Sequence, residues 1–362
     1  MEDLQIFDTF AINSKIRETY KVSFINDFDS LKSLVEKGKL VAVIDKKIAK
    51  LFPALSEILS SSRKVEIECN EQNKTIDYCQ EVIRRLIEQN TRKDDTLIAI
   101  GGGITQDIVA FVSSILYRGV DWKFYPTTLL AQCDSCIGSK SSINFDQFKN
   151  LIGTFNPPSQ IFINPLFLDT LSESEIRSGI GEMLHYFFTE GIDIADQISE
   201  QYESLLHDRS RLLYFIKNSL RIKKQVIEID EFDTGYRHIF NYGHTFGHAI
   251  ETITEYQIPH GQAVSIGMDI ANYISLKLGM QEMESFQRCH TILRKNIPPF
   301  SLNQNNINEY LSALSRDKKN KDNRLGCILS KGPGKVEKMF LPMDDVLKQY
   351  LLDYSKEYTR SV

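Results

Sequence analysis

The first part of the chain alternates short apolar runs with amphipathic stretches. "KLVAVIDKKIAKLF" (39–52) reads as a buried strand, a turn and a helix. "KVEIECNEQNKTIDYCQEVIRRLIEQN" (64–90) reads as a second strand and a helix carrying Ile76, Cys79, Val82, Ile83 and Leu86 on one stripe. "DDTLIAIGGGITQDIVAFVSSILYRG" then sets a short apolar strand, three glycines and an apolar helix in succession. Strands alternating with helices predict a parallel, doubly wound sheet.

After about residue 165 the pattern changes to helical periods over 173–190, 193–207, 209–230, 238–255, 262–279 and 282–294. "NPP" (156–158) and "FINPLFLDTLSESE" (162–175) mark the change, with Ser172 or Ser174 placed to cap the first long helix. The expected division is an α/β lobe over 1–165, suited to a nucleotide, and an all-α lobe over 166–362. A cleft between two such lobes is the natural place for a ligand.

Composition adds bounds. A chain of 362 residues exceeds one typical domain, and 42% hydrophobic with 25% charged residues suits a large core. The formal net charge of −5 leaves no footprint for nucleic acid, yet a local basic pocket for a small anion is compatible with it. The opening "MEDLQIFDTF" is acidic where a secretory leader is basic, and no run approaches the ~18 apolar residues that span a bilayer. The expectation is a cytoplasmic protein without membrane contact. Cys133 and Cys136 form a C-x-x-C with no second pair, among small residues, and are expected as reduced, semi-buried thiols.

Three groups of residues suggest chemistry. Gly101, Gly102 and Gly103 follow a strand and open a helix, where bare backbone and helix N–H groups can receive a phosphate. Asp107 sits in that helix's first turn, as a complement to the dipole or as a contact for a ligand. In "NYGHTFGHAI" His244 and His248 share a helical face by i, i+4 spacing, and His260 follows just after Pro259. Glu182, a lone acid amid apolar and glycine residues, is the carboxylate that could complete a metal site. Spacing alone leaves three readings of the histidine pair: two ligands, one ligand with a proton-transfer group, or two packed rings. Arg118, Lys140, Lys149 and Asn150, with the later Lys223, Arg237, Asn241 and Lys318, could form an anion clamp if they converge.

The ordered series "GGGITQD", "YRG", "PTTLLAQCDSCIGSK", "KNLIGTF", "SGIGEML", "NYGHTFGHAIE", "HGQAVSIGM" and "DKK" resembles the sugar phosphate cyclases, most of all the 3-dehydroquinate synthases. The resemblance runs from about residue 40 to 330. It implies a Rossmann-like lobe holding NAD, an α-helical lobe holding a divalent metal (zinc or cobalt), and a homodimer. Glu182, His244 and His260 would be the metal ligands, with His248 in the second sphere near the substrate's phosphate and reacting centre. NAD contacts would come from Asp45, Glu71, Lys74, Gly102, Gly103, Asp107, Thr127, Thr128 and Lys149. The substrate would meet Asp134, Lys140, Asn150, Lys223, Arg237, Asn241, His248 and Lys318, with Arg118 lent across the dimer.

The implied reaction converts a heptulosonate 7-phosphate into a carbocycle and releases phosphate. It runs through transient oxidation, elimination, reduction and intramolecular aldol closure, so NAD is regenerated and the enzyme is a carbon–oxygen lyase. The chain departs from the family pattern in four places. His185 stands where these synthases usually carry a substrate-reading lysine; Gln106 and Ser139 replace glycines, and Gln262 replaces a glutamate. A cyclitol or inosose synthase acting on sedoheptulose 7-phosphate or glucose 6-phosphate is the alternative within the family. A metal-dependent NAD polyol or alcohol dehydrogenase is the alternative outside it.

Overall fold

The computed structural model describes residues 6–359 apart from 147 and 318. Contacts divide the chain into two compact units, one running to Leu171 and including Lys223–Phe232, the other formed by Ser172–Ile222 and the residues from Asp233 onward. The sequence division at 165/166 is linear and does not express the return of 223–232 to the first unit. That return has local causes: Glu228 accepts from the Asn13 amide (2.8 Å), and Glu231 from Ser14 Oγ (2.8 Å) and the Lys15 amide (2.7 Å). Phe232 packs edge-on against Phe155, ring centroids 5.0 Å apart.

The first unit contains, in chain order, β1 (Ile6–Ser14), β2 (Glu18–Ile25), α1 (Asp29–Glu36), β3 (Leu40–Asp45), α2 (Lys46–Leu51) and α3 (Pro53–Ile58). Then come β4 (Arg63–Ile67), α4 (Ile76–Glu88), β5 (Thr96–Gly101), α5 (Gly103–Ile115), β6 (Asp121–Pro126), β7 (Ile143–Phe145), β8 (Phe148–Ile152) and β9 (Gln160–Ile163). Seven strands form one sheet in the order β1-β2-β9-β6-β5-β3-β4, parallel except for the β1–β2 pair. The runs Val41–Ile44 and Leu97–Ile100 are buried along their length, as strands covered on both faces must be. On α4 the predicted stripe buries Cys79, Val82 and Leu86, with Ile76 and Ile83 at its half-buried edges. The chain passes outward from β3 to β4, then crosses to the other side of β3 to make β5. The carboxyl ends of β3 and β5 therefore flank a switch point, where open α/β sheets receive ligands. Asp45 and the glycine run stand at those two ends.

The second unit holds α6 (Glu173–Glu190), α7 (Asp193–Leu205), most of α8 (Arg209–Ile229), α9 (His244–Ile253), α10 (His260–Lys277), α11 (Met283–Leu293), α12 (Ile307–Ser315) and α13 (Asp345–Tyr358). Ser172 caps α6 through a capping box with Glu175. The helix expected over 238–255 begins only at His244. Tyr236–Asn241 form a 3-10 turn, and Gly243, at φ +80°, breaks the path before α9. In turn α10 starts at His260, two residues before the expected 262, because Pro259 supplies its extended N-cap. The all-α expectation also missed an antiparallel hairpin of β10 (Arg324–Ser330) and β11 (Val336–Pro342). Among the described residues, no helix is long and apolar enough to cross a membrane.

Candidate active-site residues and metal centre

In the first unit, the three glycines have different tasks. A Cβ on Gly101 would stand 2.0 Å from Thr105 Oγ1, so that glycine is required by packing. A Cβ on Gly102 would meet Thr128 Cγ2 at 3.0 Å, whereas around Gly103 nothing comes nearer than 3.8 Å. Open ground thus begins at the first residue of α5, where the helix amides lack intrahelical partners. Behind it, Lys74 Nζ lies 2.6 Å from Asp107 Oδ2, 2.8 Å from Asn150 Oδ1 and 3.1 Å from Ser142 Oγ. The Ser142 amide donates to Asp107 Oδ1 at 2.8 Å. Burial raises the Asp107 carboxyl above its ordinary range, although Lys74 and Ser142 pull it down. Asn150, expected at the substrate, is therefore joined to the Lys74–Asp107 network, and its strained φ of +53° is held by the Asn144 side chain.

Glu71 sits in a 3-10 turn, where its carboxylate accepts from Asn144 Nδ2 (2.8 Å) and faces Lys149 Nζ at 3.7 Å. Asp45 caps α2 by accepting from the Lys47 amide, and burial raises its pKa. Thr127 is buried with its hydroxyl oxygen lacking a hydrogen-bond partner, and the Thr128 hydroxyl accepts from the Ala131 amide. Lys223 reaches Asp134, its Nζ 2.7 Å from both the carbonyl and the carboxylate oxygen. Arg118 (φ +60°) and Lys140 are exposed. Cys133 and Cys136 are in no disulfide among the described residues and are fully rather than partly buried, and burial pushes the Cys136 thiol up to about 12. Ser142 and Asn144 were not expected in these networks; each follows Lys140 closely in sequence but carries no motif of its own.

The second unit assembles the metal candidates from three helices. Glu182 on α6 is buried, and its Oε1 lies 3.2 Å from His260 Nε2 and 3.6 Å from His244 Nε2. These separations lack hydrogen-bond geometry, so Oε1 is a buried carboxylate oxygen with no donor. The potential ligand atoms of all three residues lie within 4.8 Å of one another. His244 Nδ1 faces the Tyr242 carbonyl at 3.2 Å; with the proton on Nδ1, Nε2 is left bare toward Glu182. Burial pushes the His244 pKa down to about 3, against the pull of Glu182, which keeps the ring neutral. At His260 burial also opposes charge, but Glu182 and Glu251 together outweigh it and hold the pKa well above the ordinary value. One buried carboxylate and two imidazoles fit a zinc-type catalytic site with positions left open.

His248 is exposed on the same face of α9, its ring centroid 5.5 Å from that of His244 and 5.6 Å from that of His260. Glu251, which was not singled out, stands on that face too, with Oε2 3.1 Å from His260 Nδ1. Its signal was available in "HTFGHAIE", where His244, His248 and Glu251 follow i, i+4, i+7. His185 is buried one turn after Glu182 and meets the His244 ring edge-on at a centroid distance of 5.0 Å. Arg237 and Asn241 lie on the 3-10 turn before α9, where Asn241 Nδ2 donates to the His238 carbonyl. Lys318 lies outside the described residues.

Residues 64–178 match the family described as 3-dehydroquinate synthase N-terminal, and residues 179–320 match 3-dehydroquinate synthase C-terminal. A 3-dehydroquinate synthase of Clostridium tetani is 35% identical over 340 residues, covering 91% of each chain. Among solved structures, a 2-deoxy-scyllo-inosose synthase complexed with carbaglucose-6-phosphate, NAD+ and Co2+ superposes with a TM-score of 0.85. That likeness is 22% identical and covers 96% of this chain and 99% of the other. A 2-epi-5-epi-valiolone synthase from Streptomyces hygroscopicus, with NAD+ and Zn2+ bound, reaches a TM-score of 0.83 at 22% identity, covering 93% and 97%. At such identities the two structures speak for the fold.

Proposed function

The chain belongs to the 3-dehydroquinate synthase family, and from that premise we propose that it converts a heptulosonate 7-phosphate to a carbocycle with loss of phosphate. The observation that carries this reading is the convergence of Glu182, His244 and His260 around one point, with Glu182 Oε1 buried and lacking a hydrogen donor. Glu182, His244 and His260 hold zinc or cobalt; Asp45, Glu71, Lys74, Gly102, Gly103, Asp107, Thr127, Thr128 and Lys149 serve NAD. When bound, the metal polarises the substrate oxygen, and NAD accepts one hydride and returns it.

The remaining work falls to side chains. Lys223 and Arg237 read the substrate carboxylate, and Asp134 holds the Lys223 ammonium in place before substrate arrives. Lys140, Asn241 and Lys318 contact the substrate. His248, exposed beside the metal ligands, moves a proton at the phosphate-bearing side as the leaving group departs. His185, close to His244, takes the place of a substrate-reading lysine and bears on which sugar phosphate fits. The enzyme acts in the cytoplasm as a homodimer in which the exposed Arg118 of each copy serves its partner.

The test is incubation with 3-deoxy-arabino-heptulosonate 7-phosphate, expected to release phosphate with no net build-up of NADH. Phosphate release from sedoheptulose 7-phosphate or glucose 6-phosphate alone would move the assignment to a cyclitol or inosose synthase. Accumulation of NADH with a plain polyol would move it to a dehydrogenase.

A further inference from the structure

Glu251 takes no part in the roles assigned above, yet its carboxylate is tied to one of the metal ligands. Its side chain is 14% exposed, and among the described residues His260 is the only partner its carboxylate has in a hydrogen bond or ion pair. A largely desolvated carboxylate with a single partner is a strong constraint on that partner, because few waters compete for it.

His260 has two ring nitrogens, and the structure gives each a different neighbour. Nε2 faces Glu182 Oε1 at 3.2 Å, and Nδ1 faces Glu251 Oε2 at 3.1 Å. An imidazole that ligates through Nε2 must carry its proton on Nδ1, and that proton needs an acceptor. Glu251 is placed to be that acceptor. His244 is built the same way but with a weaker acceptor, the neutral carbonyl of Tyr242 at 3.2 Å. The two imidazoles are therefore unequal: one is oriented by a backbone dipole, the other by a full negative charge.

The placement follows from the helices. Glu251 lies seven residues after His244 on α9, so both point to one face, and His260 is the first residue of α10. Gly247, between them on α9, allows the close approach, since a Cβ there would meet the Ala263 backbone at 3.0 Å. The tight α9–α10 contact brings Glu251 against His260.

We propose that Glu251 is a positioning residue of the metal centre, accepting the Nδ1 proton of His260 so that Nε2 is aimed and made more basic for the metal. The proposal rests on the reading of Glu182, His244 and His260 as ligands. His248, Glu251 and His260 also have potential ligand atoms within 4.8 Å of one another. A second ion there would claim Nδ1 of His260 and remove the proton Glu251 is placed to accept, so the two arrangements exclude each other.

The test compares the full-length wild type with Glu251→Ala and Glu251→Gln. Zinc affinity is read by competition with a chromogenic chelator, stoichiometry by metal analysis, and the ligand field by the visible spectrum of the cobalt-loaded protein. The expected result is one zinc per chain throughout and an affinity lower by roughly 10- to 100-fold in Glu251→Ala. Glu251→Gln, whose amide oxygen can still accept from Nδ1, should fall between, with a displaced cobalt spectrum. If Glu251→Ala fails to fold, the isosteric glutamine variant decides by the same two readings. Wild-type affinity and an unchanged cobalt spectrum in a folded variant would overturn the proposal. So would two tightly held zinc ions in the wild type, one of them lost in the variants. A wild type that holds no zinc would instead sink the ligand reading on which the proposal stands.

Discussion

Gly181 of α6 and Gly261 of α10 meet backbone to backbone. A Cβ on Gly181 would stand 1.9 Å from the Gly261 carbonyl oxygen, and one on Gly261 would stand 1.8 Å from that of Ser178. The residues next to these glycines are Glu182 and His260, so the contact that joins the helices also sets the separation of two of the proposed metal ligands. Either Gly181→Ala or Gly261→Ala forces the helices apart. We expect a loss of about 1–3 kcal/mol or more from overpacking, together with weaker metal binding. Thermal melting of the metal-free protein and zinc titration read the two effects separately; a variant with wild-type zinc affinity would contradict the link.

The ligand set itself is tested by Glu182→Gln, which keeps the shape and removes the charge. Metal content after dialysis should fall at least about tenfold, and the melting temperature should lose its dependence on added zinc. His260→Ala should lose metal and activity together, and metal retained in that variant would contradict the assignment.

Lys74 and Asp107 form a pair whose side chains are 9% and 19% exposed. Lys74→Met leaves the Asp107 carboxylate partly buried without its cation, at a cost of up to about 3–5 kcal/mol. Adding Asp107→Asn should restore much of the stability but not NAD affinity. Denaturant unfolding with NAD titration separates the two; a double variant no more stable than Lys74→Met would argue against the pair.

Acid sensitivity should include a contribution from Asp95, whose pKa is lowered chiefly by the Arg63 guanidinium bonded to it at 2.7 and 2.8 Å. A depressed folded-state pKa contributes stability that is present above the unfolded value, about 3.9. That stability is lost as pH falls through the folded value. Arg63→Met should therefore be less stable than wild type near neutrality, with the two converging in acid. Urea midpoints measured from pH 7 down to 3 check this; a constant gap would count against the linkage.

Much of the candidate site was legible before folding. The i, i+4 spacing put His244 and His248 on one face, and the family resemblance implied a ligand and a neighbour and pointed to Glu182 and His260, whose side chains the structure brings together with His244. The sheet strands read cleanly because buried parallel strands are nearly continuous apolar runs, as at Val41–Ile44 and Leu97–Ile100. Helix ends were less legible: the start of α9 depends on the positive φ of Gly243, and the Cβ it lacks would lie 2.5 Å from Met268 Cγ. The β10–β11 hairpin was missed because short strands amid helical periods carry little pattern of their own.

The sequence by itself determined the alternation of strands and helices, the glycine-opened helix after β5, and the kinds of side chain available for metal and anion chemistry. These are local properties, set by helical and strand periods and by what a bare glycine permits. Only the tertiary structure decided that Lys223 pairs with Asp134, that Lys74 and Asn150 share one network, and that Glu251 faces the far nitrogen of His260. Those pairings join residues remote in the chain or on different helices. Their distances are set by how closely backbones pack, a quantity no local spacing contains.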